Sequence, residues 1–163
     1  MTLKSKLCGF SNLKSLQYAI DHPYSPALIG FIVNFPKSKR YVDTTKLNKL
    51  INIDKKKIIS AITVEKKEDV NKYKDFISVS DIILFDSKGY EQSLGWDHNF
   101  LNDLPDNINK MVAGNIQFDD DIDKYKKICN YIDISGGIES SGVKDISKID
   151  IFLNKVKKVN NEN

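Results

Sequence analysis

Three side chains in this 163-residue chain could carry acid–base or anion chemistry: Cys8, Asp86 and Arg40. Cys8 ends the apolar run of "KLCGF". A cysteine works as an acid or base through its thiolate, which needs cations or helix ends nearby. Packed away, it is only a small apolar filler. Asp86 closes "SDIILFDS". Partial burial would hold its proton to higher pH and suit it to general-acid work, whereas an exposed carboxylate there would merely cap a turn. Arg40, in "FPKSKRYV", is the single arginine among 25 basic residues. A planar guanidinium grips a carboxylate or phosphate with two parallel hydrogen bonds, which an ammonium does not do.

Two glycine-bearing stretches add an anion theme. "VAGNI" contains Gly114-Asn115, and "DISGGIESSG" contains Ser135-Gly136-Gly137. Glycines there let backbone N–H groups approach an anion, or simply make turns. Asp133 is either structural or a partner for sugar hydroxyls. Cys129 falls in a helical pattern and reads as packing. Trp96 reads as an anchor between a loop and a helix.

These residues need elements to position them. The strand readings are 6–10, 26–35, 57–64, 80–87, 110–116 and 131–137. The helix readings are 11–20, 43–51, 65–77, 96–104, 118–129 and 145–159, the first capped by Ser11 or Asn12. The strands are continuous apolar runs, which suits a sheet buried on both faces. Strict β-α alternation implies right-handed crossovers and a parallel sheet, α/β in class. No GxGxxG follows the first strand, which speaks against a dinucleotide-binding fold. Parallel sheets bind ligands at the C-terminal strand ends, and in barrels the last two loops are the usual phosphate cradle. Cys8, Arg40, Asp86, Gly114-Asn115, Asp133 and 135–137 all fall at that end.

Composition bounds the rest. The length suits one domain, read here as 1–159 with a frayed 160–163 tail. The net charge is only +3, and lysines interleave with acids as in "VEKKEDVNKYKD", so no nucleic-acid partner is expected. No apolar run has the length of a membrane span or the form of a signal peptide, so a cytoplasmic protein without a membrane partner is expected. Two cysteines and two histidines without ligand spacing point to no metal.

The motifs "KLCGFSNLKSLQYAI", "IGFIVNFPKSKRYV", "IILFDS", "VAGNI" and "DISGGIESSGVKD", in that order, resemble phosphoribosylanthranilate isomerase, a (β/α)8-barrel family of tryptophan biosynthesis. The resemblance covers most of the chain. It implies an Amadori rearrangement of N-(5-phosphoribosyl)anthranilate without cofactor or metal. By the same resemblance Cys8 is the general base and Asp86 the general acid. Arg40 holds the anthranilate carboxylate, Gly114, Asn115, Ser135, Gly136 and Gly137 hold the phosphate, and Asp133 meets the ribose hydroxyls. The family's third and fourth β-α units, including a Q-L-H-G strand, have no counterpart between "LNKLINIDKK" and "KIISAITVEKKEDV". The expected fold is therefore a TIM-barrel-like parallel sheet truncated to about six units. Its unpaired edges call for cover, which a homodimer would supply. The rival reading is a catalytically impaired remnant that binds a phosphorylated ligand or a partner.

Overall fold

The computed structural model describes residues 2–32, 36–43, 57, 59–78, 80–89 and 94–162. Six parallel strands form one curled sheet: β1 (Lys4–Cys8), β2 (Leu28–Gly30), β3 (Ile59–Val64), β4 (Ile82–Ser87), β5 (Lys110–Val112) and β6 (Tyr131–Ile134). The order is β2-β1-β6-β5-β4-β3. The last strand lies beside the first, which is how a barrel closes rather than how an open sheet ends. The edges fall at β2 and β3, between which the expected third and fourth units would lie. A small antiparallel pair, β7 (Glu139–Ser140) and β8 (Val143–Lys144), follows β6.

Successive side chains along a strand face opposite ways. In β4, Ile83 and Phe85 enter the large core against the helices, while Ile82 and Leu84 enter a second cluster with Met111, Ala113 and Tyr131. That second cluster fills the concave, barrel-interior side. Leu7, Ile132 and Ile134 point to the helix side. Lys6, Cys8 and Asp133 must then point inward, and the register places Lys6 opposite Asp133 and Cys8 opposite Gly30.

The helices vary in regularity. The first runs Leu13–Asp21, and its cap is Asn12, whose side chain accepts from the Ser15 N–H. The last, Ile146–Asn161, is capped by Asp145 and buries Ile149, Phe152, Leu153, Val156 and Val159 along one stripe. Asn160, read as frayed tail, is helical: its side-chain amide bridges both backbone groups of Leu3 at 2.8 Å.

The middle of the chain departs from the helical readings. Residues 65–77 hold a 3-10 helix, Lys67–Asp75, in which Val70 is the buried apolar residue, too little for an amphipathic α-helix. The 96–104 segment is likewise 3-10, His98–Asp103. The 118–129 reading shrinks to Tyr125–Ile128. Its aspartates explain this: Asp120 accepts from the Gln117 N–H and Asp121 from the Asp123 N–H, so side chains compete with the helical ladder. Strands 26–35, 110–116 and 131–137 are shorter than read. The helix reading 43–51 lies, apart from residue 43, outside the described residues, as do 33–35. No described helix is long and apolar enough to cross a membrane.

Candidate active site

The concave face ends, at the C-terminal edge of the strands, in charged groups. Lys6 is 8% exposed and Asp133 9%, and Lys6 Nζ donates to Asp133 Oδ2 at 2.8 Å. Burial works against the ammonium, but Asp133, with Cys8, outweighs it and holds the Lys6 pKa above its usual value. The other carboxylate oxygen, Asp133 Oδ1, is buried without a hydrogen-bond partner among the described residues. A buried acceptor without a donor is costly, so this oxygen is suited to receive one from a ligand.

Cys8 lies one step further toward the mouth. Its neighbour across the ladder, Gly30, leaves room for it. A Cβ built on Gly30 would sit 2.6 Å from Cys8 Sγ and 3.2 Å from Lys6 Nζ. Sulfur and ammonium therefore share the space above one glycine. Burial and the Asp133 charge push the Cys8 thiol up, while Lys6 and Lys144 pull it down. Asp86 is the penultimate residue of β4, opposite Thr63. Burial raises its carboxyl above the usual range, the Ser87 N–H that it accepts opposes this, and Asp133 adds to the rise. Two groups with displaced titrations, a thiol and a carboxyl, thus flank one buried ion pair, an arrangement suited to giving and taking protons.

Arg40 adjoins this cluster. Its stem crosses Gly9, where a Cβ would meet Arg40 Cδ at 2.5 Å, and Gly9 has φ +80°, so only glycine suits that position. The guanidinium makes a two-pronged pair with Glu139, Nε to Oε1 at 2.6 Å and Nη2 to Oε2 at 2.9 Å. Buried Lys144 also donates to Glu139 Oε1, at 2.5 Å. Burial opposes the Glu139 charge, but Arg40 and Lys144 keep its carboxyl below the usual range. The fork thus grips a carboxylate, as its chemistry suggests, and in this structure the carboxylate belongs to the chain itself.

The two glycine loops meet. Gly137 packs its Cα against the Ile116 carbonyl and Gln117, and Gln117 and Gly137 form a parallel bridge. Gly114 has φ +102° and lies over Ser87, while Asn115 has φ +57°, a left-handed conformation asparagine tolerates. The Ser135 hydroxyl is committed to the Cys8 carbonyl at 3.1 Å, tying the β6 loop to the end of β1. Trp96 donates Nε1–H to the Ala113 carbonyl, anchoring the loop that carries Gly114. Gly137→Ala would drive a methyl into the facing backbone and part the loops. The expected destabilisation is about 1–3 kcal/mol, with phosphate affinity falling more than the affinity for anthranilate alone. Thermal melts and titration of the two ligands check it.

Sequence reading placed Cys8, Asp86 and Asp133 at one end, and the structure brings these three together. It missed Lys6, Gly30, Glu139 and Lys144. Lys6 was detectable, since it lies two residues before Cys8 on a strand and so shares its face. Glu139 and Lys144 carried no comparable signal, because a tight two-stranded ribbon returns them to the mouth.

A curled parallel sheet with its polar groups gathered at the C-terminal ends defines a (β/α)-barrel-type protein with a candidate site at the barrel mouth. Residues 42–155 match the family model for N-(5'-phosphoribosyl)anthranilate (PRA) isomerase, and the chain belongs to that family of isomerases. It is 27% identical to the N-(5'-phosphoribosyl)anthranilate isomerase of Clostridium acetobutylicum, over 213 positions covering 96% of this chain and 98% of the relative. The corresponding Staphylococcus aureus protein is 26% identical, with 95% and 97% covered. Both alignments run longer than this 163-residue chain, so both relatives have positions without a counterpart here. The fold is similar to that of phosphoribosyl anthranilate isomerase from Thermotoga maritima, with TM-score 0.78 and 17% identity over 96% of this chain and 99% of that one.

Proposed function

We propose that this chain catalyses the Amadori rearrangement of N-(5-phosphoribosyl)anthranilate to 1-(2-carboxyphenylamino)-1-deoxyribulose 5-phosphate. The observation that carries the reading is that Cys8 and Asp86 both lie within the influence of the buried Lys6–Asp133 ion pair, inside a family of that name. Asp86, with its proton held by burial, gives it to the ribose ring oxygen as the ring opens. Cys8, as thiolate, takes the C2′ proton, which converts the resulting imine to the enol-amine. Asp133 Oδ1 accepts a ribose hydroxyl. The loops at Gly114-Asn115 and 135–137 offer backbone N–H groups to the phosphate, and the substrate needs no cofactor or metal. A homodimer that covers the β2 and β3 edges belongs to the same proposal; a Thermotoga maritima relative is described as dimeric.

Arg40 holds the anthranilate carboxylate in this scheme. Nε and Nη2 of its guanidinium meet Glu139, so the substrate carboxylate would join or displace Glu139 at the fork. Arg40→Lys is expected to weaken anthranilate-bearing ligands about tenfold, since an ammonium cannot serve two carboxylates as a fork does. It is expected to leave inorganic phosphate affinity unchanged. The rival reading, a catalytically impaired remnant binding a phosphorylated ligand or a partner, takes its support from the Glu139 contact, which already satisfies the fork. Turnover assays with a titration of a reduced, non-reacting substrate analogue separate the two: the remnant binds at most the phosphate end and turns nothing over.

A further inference from the structure

We propose that Lys6 is a positioning residue for the base: its ammonium, anchored on Asp133, sits beside the Cys8 sulfur above Gly30 and favours the thiolate there against burial. The inference rests on the reading of Cys8 as the base and adds to it the group that makes a buried thiol serviceable.

Lys6 and Cys8 are two residues apart on β1 and face the same way. Nothing but hydrogen separates them from the Gly30 Cα, as the 2.6 Å and 3.2 Å approaches of a built Cβ show. Sγ and Nζ are therefore within about 6 Å of each other, the range over which a cation stabilises an anion. The lysine is fixed: Asp133 Oδ2 holds it at 2.8 Å, and register puts the two residues directly opposite. Each neighbouring strand contributes to the field. β1 supplies Lys6, β6 supplies Asp133 and β8 supplies Lys144, while β2 presents uncharged Gly30; Asp86 on β4 faces the Lys6–Asp133 pair. Burial and Asp133 favour the neutral thiol. Lys6 is the foremost charge acting the other way, with Lys144 behind it. Asp133 would then have two tasks, one for each oxygen: Oδ2 fixes Lys6, and the unpartnered Oδ1 awaits a donor.

The test is the pH dependence of Cys8 alkylation by iodoacetamide in the folded, ligand-free protein. Cys129, the other cysteine, is fully buried with its thiol pushed up to about 12, so the signal reports Cys8. Lys6→Met is expected to move the half-alkylation pH upward by about one unit and slow alkylation near neutrality about tenfold. Lys6→Arg is expected to retain most of the wild-type profile. In turnover, Lys6→Met should lower kcat and carry the alkaline limb of the pH profile upward, whereas a merely structural role would move neither limb. If Lys6→Met does not fold, Lys6→Gln, whose amide still donates to Asp133, carries the same comparison. An alkylation profile identical to wild type in a folded Lys6 variant overturns the inference. Retained turnover in Cys8→Ser would instead overturn the base assignment, so the two failures are distinguishable.

Discussion

Cys8→Ala is expected to lower kcat about 10²–10⁴-fold and to leave the fold intact. The thiol lies beside the Lys6 ammonium, so it can lose a proton and keep a cation next to the anion. It lies on a strand whose inward positions are otherwise Lys4 and Lys6, neither of which can serve as a base while charged. Alanine keeps the strand, its pairing with Gly30 and the Ser135 bond to the residue-8 carbonyl, which is main chain. Cys8→Ser is the sharper control, because a hydroxyl of the same shape stays protonated at neutral pH. Both variants should bind a reduced substrate analogue with nearly wild-type affinity, so the loss falls on kcat rather than on KM.

Asp86→Asn has the second-largest expected effect, about 10²–10⁴-fold in kcat, and it should raise thermal stability. Asparagine can still accept the Ser87 N–H, but it has no proton to give. The stability sign follows from linkage. The folded-state pKa of Asp86 lies above its unfolded value, so the native state binds more protons in the window between the two. Stability falls as pH rises through that window and stays lower above it. A neutral side chain removes this burden and the repulsion from Asp133. Lower activity with a higher Tm is the signature of a group kept for chemistry at some cost to folding. The same shifts shape the pH profile. In the proposed mechanism the active form has Asp86 protonated and Cys8 ionised, against their ordinary order. The profile of kcat/KM should thus be flat between the two pKa values, falling below that of Asp86 and above that of Cys8.

Much of the fold was readable from periodicity. All six strands were anticipated, because continuous apolar runs between helical patterns can hardly be anything but buried parallel strands. The connecting helices were less legible. "FDDDIDKYKKIC" has helical spacing, yet its aspartates cap turns, and "EKKEDVNKYKD" lacks the apolar stripe that tertiary packing needs. At the site, Cys8, Asp86 and Asp133 announced themselves as strand-end residues. Lys6 was passed over because a lysine in a short strand looks like a surface charge, although its spacing from Cys8 put both on one face, where register sets it opposite Asp133. Glu139 was hidden for a different reason. A carboxylate placed by a two-residue strand has no period to betray it, so the sequence suggested a ligand for Arg40 where the fold also supplies an internal one.

The most direct test is turnover of freshly prepared N-(5-phosphoribosyl)anthranilate by the purified 163-residue chain, with Cys8→Ala and Asp86→Asn alongside. The proposed mechanism predicts formation of the 1-deoxyribulose product by the wild type and its loss in both variants. No product from the wild type, or equal product from all three, would contradict it.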